Sequence, residues 1–208
     1  MSNAPERQQT IVTLDLEGVL VPEIWIAVAE QTGIDALRRT TREEPDYDKL
    51  MAYRLAILAE NGLTLSRIQE VIDGLEPLPG AAAFLDELRL RTQLVILSDT
   101  FEQFAAPLMA QLGQPAIWCH SLEIVDDRIV GFRRRLPEAK QAAVAALHGL
   151  NFRVIAAGDS YNDTTMLLAA DAGFLFHAPD NVKAEFPSLP ALDTYDELLD
   201  AITAALDV

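Results

Sequence analysis

Apolar positions along this chain fall into two rhythms. Short runs rich in β-branched residues occupy 11–14, 94–97 and 154–157, and each is followed within one or two residues by an aspartate: Asp15, Asp99 and Asp159. Runs of this length bounded by turn residues predict strands buried on both faces of a parallel sheet. Between them the spacing shifts to helical periods. It predicts helices over 23–32, 46–60, 65–75, 81–91, 102–112, 138–148, 161–170 and 195–206. The third run extends to a strand over 153–157, and further strands are predicted at 116–119 and 172–176, with a hairpin of 122–125 and 128–132 about Asp126-Asp127. Alternating β and α segments predict an α/β three-layer sandwich with a mostly parallel, Rossmann-like sheet. Residues 22–79 read instead as a helical insert between the first two strands. They contain a charged stretch, 38–48, where Pro45 breaks any helix, and they end at Pro77, Pro79 and Gly80. This divides the chain into a core of 10–21 and 80–208 and an inserted 22–79.

In open α/β sheets ligands bind beyond the carboxyl ends of the strands. The pattern therefore brings Asp15, Asp99 and Asp159 to one edge. Carboxylates gathered there repel one another unless a cation or protons intervene, and an all-oxygen donor set suits a hard cation such as Mg²⁺.

Composition narrows the function. Half of the 208 residues are hydrophobic, ample for a core, and the formal charge is −16. Such a chain is not a general nucleic-acid binder, since that affinity comes largely from Lys and Arg. Cys119 is the single cysteine, so no internal disulfide forms, which suits a reducing cytoplasm. No apolar stretch approaches the ~18–20 residues of a membrane span. Residues 1–9 are polar, lack a signal-peptide core and read as a short frayed tail.

Individual residues carry bland readings beside the chemical ones. Asp15, in Asp15-Leu16-Glu17-Gly18-Val19-Leu20, either caps its loop or reaches a bound phosphoryl group. Ser98-Asp99-Thr100 caps the next helix, lends a hydroxyl to phosphate, or does both, since capping and anion binding use the same helix end. Asp159 and Asp163, four residues apart at a strand-to-helix junction with Asn162, suit a metal and its supporting ligand better than a simple cap. Lys140 follows Pro137 in a first helical turn, where a cation opposes the helix dipole. A phosphate partner accounts for that; a solvated lysine beside Glu138 is the alternative. Arg54 interrupts an apolar stripe of Tyr47, Leu50, Ile57 and Leu58. It either snorkels or turns into a pocket to grip a carboxylate. Glu23 either favours a helix N-terminus or binds a substrate cation. The run Arg133-Arg134-Arg135 reads as a solvated face, and His120, His148 and His177 as structural.

In this order the motifs resemble those of the haloacid dehalogenase-like phosphatases. Asp15-Leu16-Glu17-Gly18-Val19-Leu20 is similar to the first motif, Ser98-Asp99-Thr100 to the second, Lys140 to the third and Gly158-Asp159-Ser160-Tyr161-Asn162-Asp163 to the fourth. The insert after the first motif resembles a C1-type cap. The stretches from Leu14 to Trp25 and from Ala156 to Leu167 are most similar to the branch of phosphoserine phosphatases that also act as homoserine phosphotransferases.

That resemblance implies a nucleophile at Asp15, acid–base work by Glu17 and a phosphoryl group held by Ser98 and Lys140, with Asp99 beside it. It implies Mg²⁺ on Asp15, the Glu17 backbone carbonyl and Asp159, supported by Asp163. It gives the substrate's ammonium to Glu23, its carboxylate to Arg54 and a further contact to Asn162. The implied substrate is phosphoserine and the second acceptor homoserine, in cytoplasmic L-serine biosynthesis, and a homodimer is compatible with it. Three other readings compete: a phosphatase for another small phosphate ester, a receiver-type signalling module, and a binding protein without catalysis. Glu17 stands where the wider superfamily has aspartate; the named branch shares this glutamate.

Overall fold

The computed structural model of the protein describes residues 8–41, 43–44 and 46–206. The expectations for 1–7 and for Pro45 lie outside the described residues. The chain runs through β1 (Gln9–Leu14), α1 (Ile24–Thr32), a 3-10 turn (Asp35–Arg38), α2 (Tyr47–Glu60), α3 (Leu65–Asp73), α4 (Ala81–Arg89) and β2 (Gln93–Phe101). It continues with α5 (Glu102–Gln111), β3 (Ile117–Val125), β4 (Arg128–Arg133), α6 (Ala139–Gly149), β5 (Phe152–Gly158) and α7 (Tyr161–Ala169). β6 (Ala172–Phe176), α8 (Asp180–Glu185), β7 (Ala191–Leu192) and α9 (Tyr195–Leu206) complete it.

Among the described residues seven strands form one sheet in the order β4-β3-β2-β1-β5-β6-β7, parallel except for β4. After β1 the chain builds outward through β2, β3 and β4, then returns to the other side of β1 for β5. The strand order reverses beside β1, the place where such sheets open a crevice. Register brings the key positions level: Leu14 pairs with both Ile96 and Ala157, and the Asp15 N–H donates to the Ala157 carbonyl at 3.0 Å.

Both faces of the sheet are covered, which is why its strands are apolar without alternation. Val154 and Ala156 pack with Val144 and Leu147 of α6 and Leu167 of α7. Ile155 and Ala157 face the opposite way, into a cluster with Leu85, Phe104 and Ile202. That second cluster continues without a break into Trp25, Met51 and Ile68 of the inserted helices.

Polar contacts reinforce this seam. Pro107 inside α5 cannot donate to the Gln103 carbonyl, and Gln69 Nε2 of α3 takes that carbonyl at 3.0 Å. At the β3–β4 turn, Asp126 and Asp127 both adopt positive φ, and Asp127 receives the N–H groups of Leu65 and Ser66 at the start of α3.

Several boundaries differ from the sequence expectations. Gln9 is not frayed: it pairs with Phe152 in β1. The segments 116–119 and 122–125 are one strand, since Cys119 to Ser121 continue the extended chain between its parallel contact with β2 and its antiparallel contact with β4. β2 runs on through Ser98-Asp99-Thr100 to Phe101, so these residues do not cap α5; Phe101 occupies that position. α6 starts at Ala139 behind Glu138 in a left-handed conformation, so Pro137 precedes the cap instead of opening the helix. The 3-10 turn, α8 and β7 are too short to carry a periodic signal.

Gly173 lets α7 approach β6: a Cβ there would meet the Leu167 carbonyl oxygen at 2.3 Å. Gly173→Ala is expected to lower stability by about 1–3 kcal/mol in urea unfolding. Gly149→Ala, with nothing within 4 Å of its Cβ position, is expected to leave stability unchanged or slightly raised. Equal effects from the two variants would contradict this packing.

Candidate active site

The ends of β1, β2 and β5 and the starts of α6 and α7 meet at a cleft of about 220 Å³. Its floor is charged. The ammonium of Lys140 lies 2.8 Å from Asp15, 2.6 Å from Asp163 and 3.9 Å from Asp99. Lys140 is 4% exposed and Asp163 fully buried, which rules out the solvated-lysine reading.

Each group is placed by a local device. Asp15 leaves the end of β1, and its Oδ1 accepts from the Leu16 N–H at 2.7 Å, so it caps its loop while facing Lys140. Asp163 is in the first turn of α7. Its Oδ2 accepts the N–H groups of Asp159 and Ser160 at 3.0 and 3.1 Å, leaving Oδ1 for Lys140. The helix end is thus closed by Asp163, and Asp159 is released toward Asp15. Asp15, Asp159 and Asp163 each offer an oxygen within 4.8 Å of the others. Gly18 makes room for this: a Cβ there would lie 2.4 Å from Asp159 Oδ2. Among the described residues this is the only group of three or more potential ligands, and all its donors are oxygens, so it fits a hard divalent cation.

Electrostatics follow from burial and sign. Burial drives the Asp15 carboxyl well above its usual range, Asp163 and Asp159 add to this, and Lys140 opposes it. Burial alone would weaken Lys140 as a base, yet Asp15, Asp163 and Asp99 together raise it well above an ordinary lysine. Asp159 is pushed up to about 7 by burial and by the neighbouring Asp163 and Glu23 charges. Asp99 is held below the usual carboxylate range: burial acts upward, but Lys140, His120 and Asn162 outweigh it.

Ser98 is buried beside these groups, and its hydroxyl accepts the Thr100 N–H at 3.2 Å. Pairing between β2 and β3 is irregular between Leu97 and Phe101, so Ser98 to Thr100 are released from regular sheet bonds at the cleft. Asn162 donates to Asp99 Oδ2 at 3.1 Å.

The opposite wall comes from the inserted helices. Glu17 turns its carboxyl away from the aspartate cluster: Oε2 accepts the Ile24 N–H at 2.9 Å at the start of α1. Burial and Glu23 push this carboxyl up to about 7, against the Ile24 N–H, Arg54 and a Thr100 hydrogen bond. Glu23 caps α1 without a side-chain bond and lines the cleft rim. Arg54, 6% exposed, donates through Nη2 to the Arg39 carbonyl at 2.8 Å and lies 4.6 Å from the Trp25 ring centre. Its Nε is buried with no hydrogen-bond partner. A guanidinium this buried does not snorkel to solvent, and it lines the cleft.

The structure therefore brings together Asp15, Ser98, Asp99, Lys140, Asp159, Asn162 and Asp163, with Glu17, Glu23 and Arg54 across the same cleft. Sequence reasoning passed over Tyr47, whose hydroxyl donates to the Asp99 carbonyl at 2.7 Å, and Trp25 beneath Arg54. Tyr47 read as an ordinary apolar stripe position, and Trp25 only as the end of a motif stretch. It also misjudged Arg134, which stacks 4.9 Å from the Tyr47 ring centre and pairs with Asp48 at 3.0 Å, tying the segment after β4 to α2.

Fold and site together define a phosphoryl-transfer hydrolase architecture. The chain belongs to the haloacid dehalogenase-like hydrolases, whose family model matches residues 9–171. It is 63% identical over 189 residues to the phosphoserine phosphatase ThrH of Pseudomonas aeruginosa, covering 90% of this chain and 92% of the relative. It is 62% identical over 190 residues to a phosphoserine phosphatase of Pseudomonas syringae pv. tomato, covering 90% and 80% respectively. Among solved structures, a phospho-aspartyl intermediate analogue of a phosphoserine phosphatase superposes with a TM-score of 0.77 at 18% identity, over 93% of this chain and 99% of that one.

The raised Asp159 carboxyl gives the metal-free site a definite pH response. Protonation of this group favours the fold below its ordinary value near 3.8, and the contribution is lost as pH rises through about 7. A divalent cation competes with those protons. Added Mg²⁺ is expected to raise the melting temperature clearly at pH 8 and little at pH 5. An equal shift at both values would contradict metal binding by this cluster.

Proposed function

We propose that this protein is a Mg²⁺-dependent phosphatase that hydrolyses O-phospho-L-serine through an aspartyl-phosphate on Asp15, and that an alcohol such as homoserine can replace water as acceptor. The observation that carries this reading is the two-sided cleft. A buried Asp15–Lys140 pair faces a buried Arg54 with an unpartnered donor, a spacing of functions suited to a small phosphate ester that also bears a carboxylate. The activity named for the two Pseudomonas relatives supports the choice of serine.

In this reading 10–21 and 80–208 form the catalytic core and 22–79 the cap. Asp15, Asp159, Asp163 and the Glu17 backbone carbonyl would hold the cation, which when bound neutralises phosphate charge beside the nucleophile. Lys140 and Ser98 hold non-bridging oxygens, and Asp99 orients Lys140. An Asp15 oxygen attacks phosphorus in line with the bond to serine; that bond breaks and Glu17 gives its proton to the departing oxygen. Its carboxyl, pushed up to about 7, can carry that proton near neutrality. Glu17 then takes a proton from water, or from an acceptor alcohol, as that oxygen attacks phosphorus; the bond from phosphorus to Asp15 breaks, freeing the carboxylate and releasing phosphate or the new phosphate ester. Glu23 binds the ammonium, Arg54 the carboxylate, and Asn162 faces the substrate. The cap covers the site and limits the entry of water. Among the described residues no helix is long and apolar enough to cross a membrane, and a cytoplasmic place in serine biosynthesis completes the reading.

The test is phosphate release from L-phosphoserine with Mg²⁺, run with and without EDTA and L-homoserine, with the products weighed by mass spectrometry. Release that EDTA stops and a phosphohomoserine product are the expected results. Arg54→Ala is expected to raise KM for phosphoserine at least tenfold and to change p-nitrophenyl phosphate hydrolysis little. Hydrolysis of other esters with phosphoserine untouched would remove the assigned roles of Arg54 and Glu23.

A further inference from the structure

His120 lies in β3, 4% exposed, and the roles above leave it unused. Its surroundings fix its orientation. Nδ1 accepts the Arg135 N–H at 3.3 Å, so the network assigns the ring proton to Nε2. Nε2 lies 3.5 Å from Asp99 Oδ1. The ring is held edge-on by Tyr47, with centroids 5.7 Å apart, and flanked by Phe101. Asp99 is thereby divided between partners: Oδ1 faces His120, Oδ2 faces Asn162 and Lys140, and its carbonyl takes the Tyr47 hydroxyl.

We propose that His120 is a positioning residue that fixes the rotation of the Asp99 carboxylate and, through it, the placement of Lys140 and Asn162 at the phosphoryl site. The physical reason is the freedom of a carboxylate about its terminal torsion, which is broad and two-fold. Asn162 and Lys140 both approach Oδ2. Among the described residues His120 is the partner that faces Oδ1, and a swing of that oxygen would carry Oδ2 away from the ammonium. Lys140, already in contact with Asp15 and Asp163, would then lose the pull of its third carboxylate toward Asp99. The same carboxylate–donor logic orients ligating groups in other sites, where loss of the outer partner costs about 10- to 100-fold. The second strand has an irregularity at Asp99, so sheet bonding does not supply this constraint. The inference rests on the proposed phosphatase reading.

The test compares His120→Leu, His120→Gln and His120→Asn, alone and with Asp99→Ala. Glutamine can carry an amide N–H to the Nε2 position, whereas asparagine reaches only the Nδ1 position. Two readouts are used: kcat/KM on p-nitrophenyl phosphate and phosphoserine, and the affinity of the Mg²⁺-loaded protein for inorganic phosphate by calorimetry. His120→Leu is expected to lower kcat/KM and phosphate affinity about tenfold, with His120→Gln restoring most of the loss. In the Asp99→Ala background, His120→Leu is expected to do nothing further, because its effect passes through Asp99. Where His120→Leu does not fold, the contrast between the glutamine and asparagine variants carries the same test. Additive losses, or glutamine no better than asparagine in folded protein, would overturn the proposal. If no ester is hydrolysed, the phosphatase reading fails by itself, and the phosphate affinities still decide the role of His120.

Discussion

The buried ammonium of Lys140 is the contact on which the rest of this molecule depends. Asp15, Asp99 and Asp163 converge on it, with Asp159 beside them. Two like charges about 4 Å apart repel by roughly 4 kcal/mol at an effective dielectric near 20, so carboxylates cannot crowd a sheet edge without compensation. One lysine offsets part of that repulsion, and stripping one partner from a buried ion pair typically costs about 3–5 kcal/mol. The remaining imbalance is what suits the cluster to a cation and gives it its pH response.

The backbone is arranged around that charge. The reversal of strand order beside β1 sets Asp15 between the ends of β2 and β5. Glycines stand where a side chain would collide with the cluster: a Cβ on Gly158 would lie 2.4 Å from Asp163, as one on Gly18 would from Asp159. Asp163 serves both as helix closure and as ion partner, so the local demand for a cap and the long-range demand for a counter-charge are met by one side chain. The inserted helices belong to the same economy of contacts. Their apolar faces continue the core cluster, and Glu17 and Arg54 complete the cleft from that side.

Much of this was legible in the sequence because it is local. Apolar runs ending in aspartate disclose buried parallel strands and the acidic edge, and helical periodicity discloses the inserted helices. What escaped depends on contacts between distant segments. Nothing near Lys140 in the chain says that its side chain is buried; that follows from Asp15 and Asp163, each more than twenty residues away. Arg134 looked solvated because its partners, the α2 pair Tyr47 and Asp48, lie on another element. Of the two readings at Ser98-Asp99-Thr100, the structure removes capping, and the sequence left both open for a different reason. Good N-cap chemistry is also good phosphate-site chemistry, and only the extension of β2 to Phe101 separates them.

The most direct measurement traps the covalent step. Protein mixed with phosphoserine and Mg²⁺, quenched in acid within its turnover time and digested, should carry one phosphoryl group on the peptide containing Asp15. Asp15→Asn should carry none and should release no phosphate. A phosphoryl group on another residue, or turnover that survives in Asp15→Asn, would contradict the account.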